Sequence, residues 1–298
     1  MEIKWDHILK MVYLMIFLQL VSGCKTSPDE FIVYVGTYTG NASKGIYAYS
    51  FKTATGGMLP VGLSAETENP SFLAIDPEQK FLYAVNEIDS FQNNQSGAIS
   101  VFEIDRKTAG LSFQQQVSSL GAGPAHLSLD TSGRYLLVAN YNSGNTAVFP
   151  IGVYGLLGPH TAFVQNHGSG PNPERQTGPH AHFIQTTVDN RFVLVADLGI
   201  DKILIYRFDA NNGSMTPNNP DFVKIEDGAG PRHLAFSPSG KFVYVVNELS
   251  STITVLQYEP ESATMTEKQE ISTLPPAFTG QNTAGEILLD KKGKFLYI

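Results

Sequence analysis

The sequence predicts an all-β fold of repeated small sheets fanned about a common axis, a β-propeller. Three observations lead there. The first is a recurring unit. Asn69-Pro70-Ser71-Phe72-Leu73 leads to Lys80-Phe81-Leu82-Tyr83-Ala84-Val85-Asn86-Glu87, and Gly123-Pro124-Ala125-His126-Leu127 leads to Arg134-Tyr135-Leu136-Leu137-Val138-Ala139-Asn140. The pattern returns from Gly178-Pro179-His180-Ala181-His182-Phe183 to Arg191-Phe192, from Gly230-Pro231-Arg232-His233-Leu234 to Lys241-Phe242, and from Thr283-Ala284-Gly285-Glu286-Ile287 to Lys294-Phe295. Pro70, Pro124, Pro179 and Pro231 are 54, 55 and 52 residues apart, and Ala284 lies 53 further on. A fixed period in this range marks a solenoid, a propeller or an array. The second observation is that each unit consists of short apolar strands between Gly, Pro and Asp turns, with no long stretch of helical periodicity. One four-stranded sheet per roughly 50 residues is the propeller solution. The third is composition: 298 residues with 18 Phe, 13 Tyr, 27 Gly and only 16% charged residues suit many short strands and tight turns. A single propeller or large barrel can reach this size as one domain.

Taken in order, the chain begins with a segment that does not belong to the fold. Lys4, His7 and Lys10 precede an apolar run from Met11 to Val21, too short to span a bilayer and of the right length for a signal peptide. The run ends in Val21-Ser22-Gly23-Cys24, which has the form of a bacterial lipobox, and Cys24 is the only cysteine. Residues 1–24 therefore read as a lipoprotein signal peptide with Cys24 as the lipidation site; a plain secretory signal, or a mistranslated upstream start, with an incidental Cys is the alternative. The expected location is exported, anchored to a bacterial membrane and facing the periplasm or cell surface. With one Cys no intramolecular disulfide is possible. Residues 25–30, polar and containing Pro28, read as a tether.

The propeller domain is assigned to residues 31–298. It opens with Phe31 to Tyr38, the second-strand half of a repeat, with Tyr34 matching Tyr83. Gly45 to Phe51 is a third strand, repeated at Gly97–Asp105, Lys202–Asp209 and Thr252–Tyr258, and outer strands follow, for instance around Leu111 to Phe113. Residues 150–178, containing Gly158-Pro159-His160 and Asn166-His167-Gly168-Ser169-Gly170-Pro171-Asn172-Pro173-Glu174-Arg175, form a long polar insertion that delivers the chain to His180. Such loops are usually functional or disordered, and this one is expected to be a rim or lid. At the other end, Leu296-Tyr297-Ile298 stops inside a strand that earlier repeats continue to an Asn or Asp, so the expectation is a ring incomplete at the C-terminus.

Net charge is −8, which argues against nucleic-acid binding, since that needs a clustered positive face. A few converging Arg and His groups can still bind an anionic small molecule. Neither a metal-binding constellation nor a nucleotide-type glycine loop is present in the sequence, so no metal and no cofactor is expected.

The motifs Gly178-Pro179-His180-Ala181-His182, Asp197-Leu198-Gly199, Gly230-Pro231-Arg232-His233, Asn247-Glu248 and the opening Tyr34-Val35-Gly36-Thr37-Tyr38 together resemble the seven-bladed β-propeller lactonase family. That family includes the propeller type of 6-phosphogluconolactonase and is related to the carboxy-cis,cis-muconate cyclases. The resemblance covers about residues 31–298. It implies a sugar-lactone hydrolase of the 6-phosphogluconolactonase kind, a seven-bladed ring needing roughly 80 further residues at this period, and a monomer with a small-molecule lactone as its partner. In the cyclases a His, an Arg, a Glu and a second Arg are proposed to line the axial cleft. These positions fall on His182 or His180, on Arg232 and on Glu248, with the second Arg expected just past Ile298.

Ring opening of a lactone needs a water, a base, and positive charge where the carbonyl oxygen becomes an oxyanion. His180 and His182 alternate along a strand and so face one side. Counted from the Gly-Pro, His180 matches Arg232; counted back from Arg191, His182 does, and this second register is favoured. A His at a strand start can instead simply cap carbonyls. Arg232 replaces Ser71 and Ala125 of other repeats, which suits it to an anion or to an ion pair with Glu248. Glu248 is either a base or an orienting group, and Glu87 holds the same place in another blade. His233 repeats His126, which favours a packing role, and it is carried with Glu286 as a candidate substrate contact; Glu286 is placed near the level of Arg232 and His182. Two other functions stay open: a non-catalytic, surface-anchored propeller that binds a glycan or protein, and a lactonising cyclase.

Overall fold

The computed structural model describes residues 29–40 and 42–298. The segment read as a signal peptide, Cys24 and most of the expected tether lie outside the described residues. Six antiparallel sheets follow one another along the described chain. The first contains β1 (Glu30–Val35), β2 (Gly45–Lys52) and β3 (Gly57–Glu66), and the second β4 (Leu73–Ile75), β5 (Phe81–Asn86), β6 (Ala98–Ile104) and β7 (Leu111–Ser118). The third is β8 (Pro124–Leu129), β9 (Tyr135–Asn140), β10 (Asn145–Pro150) and β11 (Ala162–Gln165). The fourth is β12 (Ala181–Thr186), β13 (Phe192–Asp197), β14 (Lys202–Asp209) and β15 (Ser214–Lys224), and the fifth β16 (Pro231–Phe236), β17 (Phe242–Asn247), β18 (Thr252–Glu259) and β19 (Thr264–Ser272). β20 (Leu288–Leu289) and β21 (Leu296–Tyr297) make the sixth. Each sheet is a simple meander, one blade per sequence repeat. The six copies of the second strand read from the sequence are β1, β5, β9, β13, β17 and β21.

The apolar runs on the second strands have a direct structural cause. Strand side chains alternate between faces, and here both faces are covered by neighbouring blades. On β9, Leu136 and Val138 pack toward the second blade with Val85 and Val101, while Tyr135, Leu137 and Ala139 pack toward the fourth with Ile184 and Val195. On β13, Val193 and Val195 face the third blade, whereas Phe192, Leu194 and Ala196 face the fifth beside Leu234 and Val245. Hydrophobic burial is therefore distributed as slabs between blades rather than as one central core. Truncating one of these side chains, such as Leu194, to Ala carries the usual core penalty of about 2–5 kcal/mol.

Two boundaries differ from the sequence reading. Pairing of Glu30 with Lys52 starts the first sheet inside the stretch assigned to the tether. The 150–178 segment is less irregular than its composition suggests: it holds a 3-10 turn at Val153–Gly155 and β11, the outer strand of the third blade. β11 is four residues long and flanked by Gly, Pro and His, so its period-two pattern was too short to stand out. The extended loop proper runs from Asn166 to Pro179.

Candidate active site

The hairpin between the first two strands of each blade sets a common register. The main-chain N–H groups of Asp76, Asp130, Thr187, Ser237 and Asp290 donate to the carbonyls of Phe81, Tyr135, Phe192, Phe242 and Phe295, at 2.8–3.0 Å. Counting back from these positions, Phe72, His126, Phe183, His233 and Glu286 occupy one level, and Ser71, Ala125, His182, Arg232 and Gly285 the next. His182, not His180, is thus the counterpart of Arg232. Glu286 shares the level of His233, one residue from that of Arg232 and His182.

The ladder explains why His182 and Arg232 reach a cavity. In β12 the pairing steps from Ala181↔Asp197 to Phe183↔Ala196, passing over His182. In β16 it steps from Pro231↔Asn247 to His233↔Val246, passing over Arg232, and in β8 it passes over Ala125 in the same way. A bulge leaves its extra residue out of the ladder and re-aims that side chain. All three bulged residues line one cavity of about 510 Å³, together with Ser71, Glu87, Tyr141, Arg175, Glu248 and Glu286.

The second strands supply the next group. They end in Asn86, Asn140, Asp197 and Asn247, each fully buried. These polar ends tie down the adjoining turns: Asn140 Nδ2 donates to Ser119 O at 2.9 Å, and Asp197 Oδ1 accepts from the N–H groups of His180 at 2.7 Å and Gly199 at 3.0 Å. The residues immediately after them include Glu87, Tyr141 and Glu248, which are thereby presented to the cavity.

Glu248 is 8% exposed and is held by two guanidinium groups. Arg232 Nε donates to its Oε2 at 3.0 Å and Arg175 Nη2 to its Oε1 at 2.6 Å. Arg232 Nη1 also donates to the carbonyl of Gly285 at 2.9 Å, and Arg175 Nη2 to the Tyr141 hydroxyl at 3.2 Å. Arg175 thus bridges the third and fifth blades across the fourth, where His182 lies. Its pKa is pushed further up by the Tyr141 and Glu248 contacts. The loop presents it through fully buried Gln176, which donates to Leu198 O at 2.8 Å and Asp201 Oδ1 at 2.7 Å, and through Asn172 Oδ1, which accepts from Arg175 N at 3.0 Å. Arg175 was missed as a site residue because no repeat contains its counterpart and its partner is 73 residues away. The only signal was the length and polarity of the loop itself.

His182 is 8% exposed, and its Nδ1 has no hydrogen-bond partner. Burial, then the charge of Arg232, holds its pKa well below the ordinary histidine value, so the ring is neutral. It meets Tyr141 edge-on at 5.4 Å and His233 at 5.1 Å. His180 stands beside the cavity rather than among its lining residues: its ring stacks on Tyr141 at 4.4 Å and its Nδ1 lies 2.9 Å from the Tyr141 carbonyl, which only accepts.

His233 combines the two roles weighed for it. It packs among Phe72, His126 and Phe183, with centroids 5.2–5.9 Å apart, and it also lines the cavity. Burial lowers its pKa, opposed by Glu286, whose Oε1 lies 2.9 Å from His233 Nδ1; with a neutral ring this contact is a hydrogen bond with Nδ1–H donating. Burial pushes Glu286 upward, and its contacts with His233 outweigh that, leaving its carboxyl below the usual range. On the first two blades, the Tyr38 hydroxyl donates to Glu87 Oε2 at 2.7 Å. Partial desolvation of its hydroxyl, in a residue otherwise 65% exposed, and then this bond push the Tyr38 pKa up to about 12.

Comparison with known proteins agrees with this geometry. Residues 32–298 match the family described as lactonase, 7-bladed beta-propeller. A 6-phosphogluconolactonase of Bacillus subtilis strain 168 is 33% identical over 90% of this chain and 74% of its own length. A Bacteroides fragilis structure, described as a candidate 6-phosphogluconolactonase, superposes with a TM-score of 0.83 at 36% identity, covering 92% of this chain and 76% of that one. The periplasmic gluconolactonase of Pseudomonas aeruginosa gives 0.82 at 33% identity, covering 90% and 75%.

Proposed function

The chain belongs to the seven-bladed β-propeller lactonase family, a kinship that makes it a lactone hydrolase, and on that premise we propose that it opens a sugar lactone with His182 as proton acceptor. One observation carries the assignment: a neutral imidazole lines the same cavity as two guanidinium groups. A water attacking the carbonyl carbon must lose a proton, and a neutral histidine within reach can take it. Negative charge develops on the carbonyl oxygen, and donors already in place lower the barrier because they need no reorganisation. Arg232 and Arg175 supply that charge, since each retains guanidinium N–H groups beyond those given to Glu248. The proton on His182 then passes to the departing ring oxygen.

Glu248 is the weaker candidate for base. Both of its oxygens accept charge-assisted hydrogen bonds from Arg175 and Arg232, so each is already engaged by a fixed donor. Its role in this scheme is to hold the two guanidinium planes in place. His180 fixes the position of Tyr141 and acts outside the reacting atoms.

Ring opening of the 6-phosphogluconolactonase kind, whether or not the lactone carries a phosphate, and export as a lipoprotein through Cys24 belong to the same proposal. The Bacillus subtilis relative supports the first, and the lipobox and the periplasmic location of the Pseudomonas aeruginosa neighbour support the second. The test is hydrolysis of δ-gluconolactone and its 6-phosphate by the purified protein, followed at constant pH. His182→Ala is expected to reduce kcat by about 10²–10⁴. No acceleration over spontaneous opening of either lactone would favour a binding propeller instead, and an unchanged rate in the variant would remove His182 from the chemistry.

A further inference from the structure

Across the cavity from the guanidinium pair lies a second polar group that this chemistry does not use. Glu87 follows β5 of the second blade and Tyr38 belongs to the first, whereas Arg232 and Glu248 belong to the fifth, three blades further round from Glu87. The two clusters line one cavity from different blades, and the charge of Arg232 still reaches the Tyr38 hydroxyl. They differ in charge balance. Glu248 is matched by two cations, while no Lys or Arg of the described residues forms an ion pair with Glu87, whose side chain is held by the Tyr38 hydroxyl at 2.7 Å. Beside them, the buried Ser71 hydroxyl lies near enough to the Tyr38 hydroxyl to lower its pKa, yet makes no hydrogen bond of full geometry. A buried hydroxyl without a partner is uncommon in native proteins and is readily satisfied by a bound group.

We infer that Tyr38, Glu87 and Ser71 form a hydroxyl-reading subsite that selects a neutral polyhydroxy lactone over its phosphorylated form. This rests on the lactonase reading above. With the carbonyl at the Arg232–Arg175 end, the substrate's hydroxymethyl end extends toward Glu87. An ionised carboxylate is an acceptor for one or two hydroxyl groups. It repels a phosphate dianion at the same place, and such like-charge contacts are a standard means of rejecting a competing ligand. Tyr38 holds the carboxylate by its donated bond, and Ser71 offers one further donor or acceptor.

The experiment compares kcat/KM for δ-gluconolactone and its 6-phosphate in the wild type, Glu87→Gln and Tyr38→Phe, with melting curves to confirm that each variant is folded. Glutamine keeps the shape and an acceptor for Tyr38 but removes the charge. The wild type should prefer the neutral lactone, and Glu87→Gln should raise the relative kcat/KM for the phosphate by about tenfold or more. Tyr38→Phe should raise KM for the neutral lactone and leave kcat nearly unchanged. Preference of the wild type for the phosphate, or an unmoved ratio in Glu87→Gln, overturns the inference while leaving lactone hydrolysis intact. If the wild type hydrolyses neither lactone, the subsite reading falls together with the activity beneath it.

Discussion

Arg175 offers the sharpest separation between a structural and a chemical role. Its guanidinium makes two hydrogen bonds, to Glu248 at 2.6 Å and to Tyr141 at 3.2 Å. Replacing it with Ala removes both but does not strand Glu248, which keeps its 3.0 Å bond from Arg232. A hydrogen bond to a charged group contributes about 1.5–3 kcal/mol, and the Arg175 side chain is 39% exposed, so solvent screening reduces that. The stability loss should be about 1 kcal/mol, a shift in Tm of about 2–4 °C. The catalytic loss should be far larger: a donor facing a developing oxyanion is worth about 10²–10³ in kcat. Arg175→Lys keeps a charge but loses the guanidinium N–H groups beyond the Nη2 that serves Glu248 and Tyr141, and should fall between. The assay is steady-state hydrolysis of δ-gluconolactone beside a thermal melt of each variant. If Arg175→Ala keeps kcat and KM within about twofold while Tm falls as stated, the loop is only a strap, and the oxyanion role assigned to it is wrong.

Three further outcomes follow from the same geometry. Because His182 must be neutral to accept a proton and its pKa is depressed by burial and Arg232, kcat/KM should stay flat as pH falls through 6.5, with an acid limb only below that value. A limb centred at or above 6.5 would point to a different base. His126, His182 and His233 all have folded-state pKa values below 6.5. As pH falls below 6.5 the unfolded chain therefore takes up protons that the folded chain refuses. Stability should decline through that window, by up to about 1.4 kcal/mol per pH unit for each histidine, and a Tm constant from pH 7 to 5 would contradict this. Gly199→Ala would place a Cβ 2.0 Å from the Gly178 carbonyl oxygen and 2.7 Å from the His180 nitrogen. Backbone cannot move aside as a side chain can, so this variant should lose at least about 1–3 kcal/mol and displace the approach to His182, read as a lower Tm and a lower kcat together.

The repeat was legible because its signal is redundant: β5, β9, β13 and β17 are apolar at every position before their terminal Asn or Asp, and the structure shows why, with both faces of β9 and β13 covered by neighbouring blades. Arg232 and Glu248 were legible because each departs from, or sits beside, a repeated pattern. The choice between His180 and His182 could not be closed from spacing, since the Gly-Pro and the hairpin sit at different distances in the fourth repeat and only the ladder shows which residue is skipped. Glu286 could be placed only near the level of Arg232 and His182 for a related reason: its repeat lacks the Pro that anchors the count in the others. Arg175 was out of reach because its position depends on Gln176 and Asn172 folding the loop back onto buried Asp201 and Leu198, contacts that no local pattern announces.

The skipped rung in the third, fourth and fifth blades has an evolutionary reading. Main-chain pairing continues on either side of Ala125, His182 and Arg232 without needing any particular side chain at those three places. Reactivity and scaffold are consequently encoded at different addresses, and a relative could exchange one group on the cavity wall while inheriting every strand around it. Ala125 is the open socket of this set: an acidic, basic or aromatic residue there would change what the enclosure admits, with the sheet beneath left as it stands.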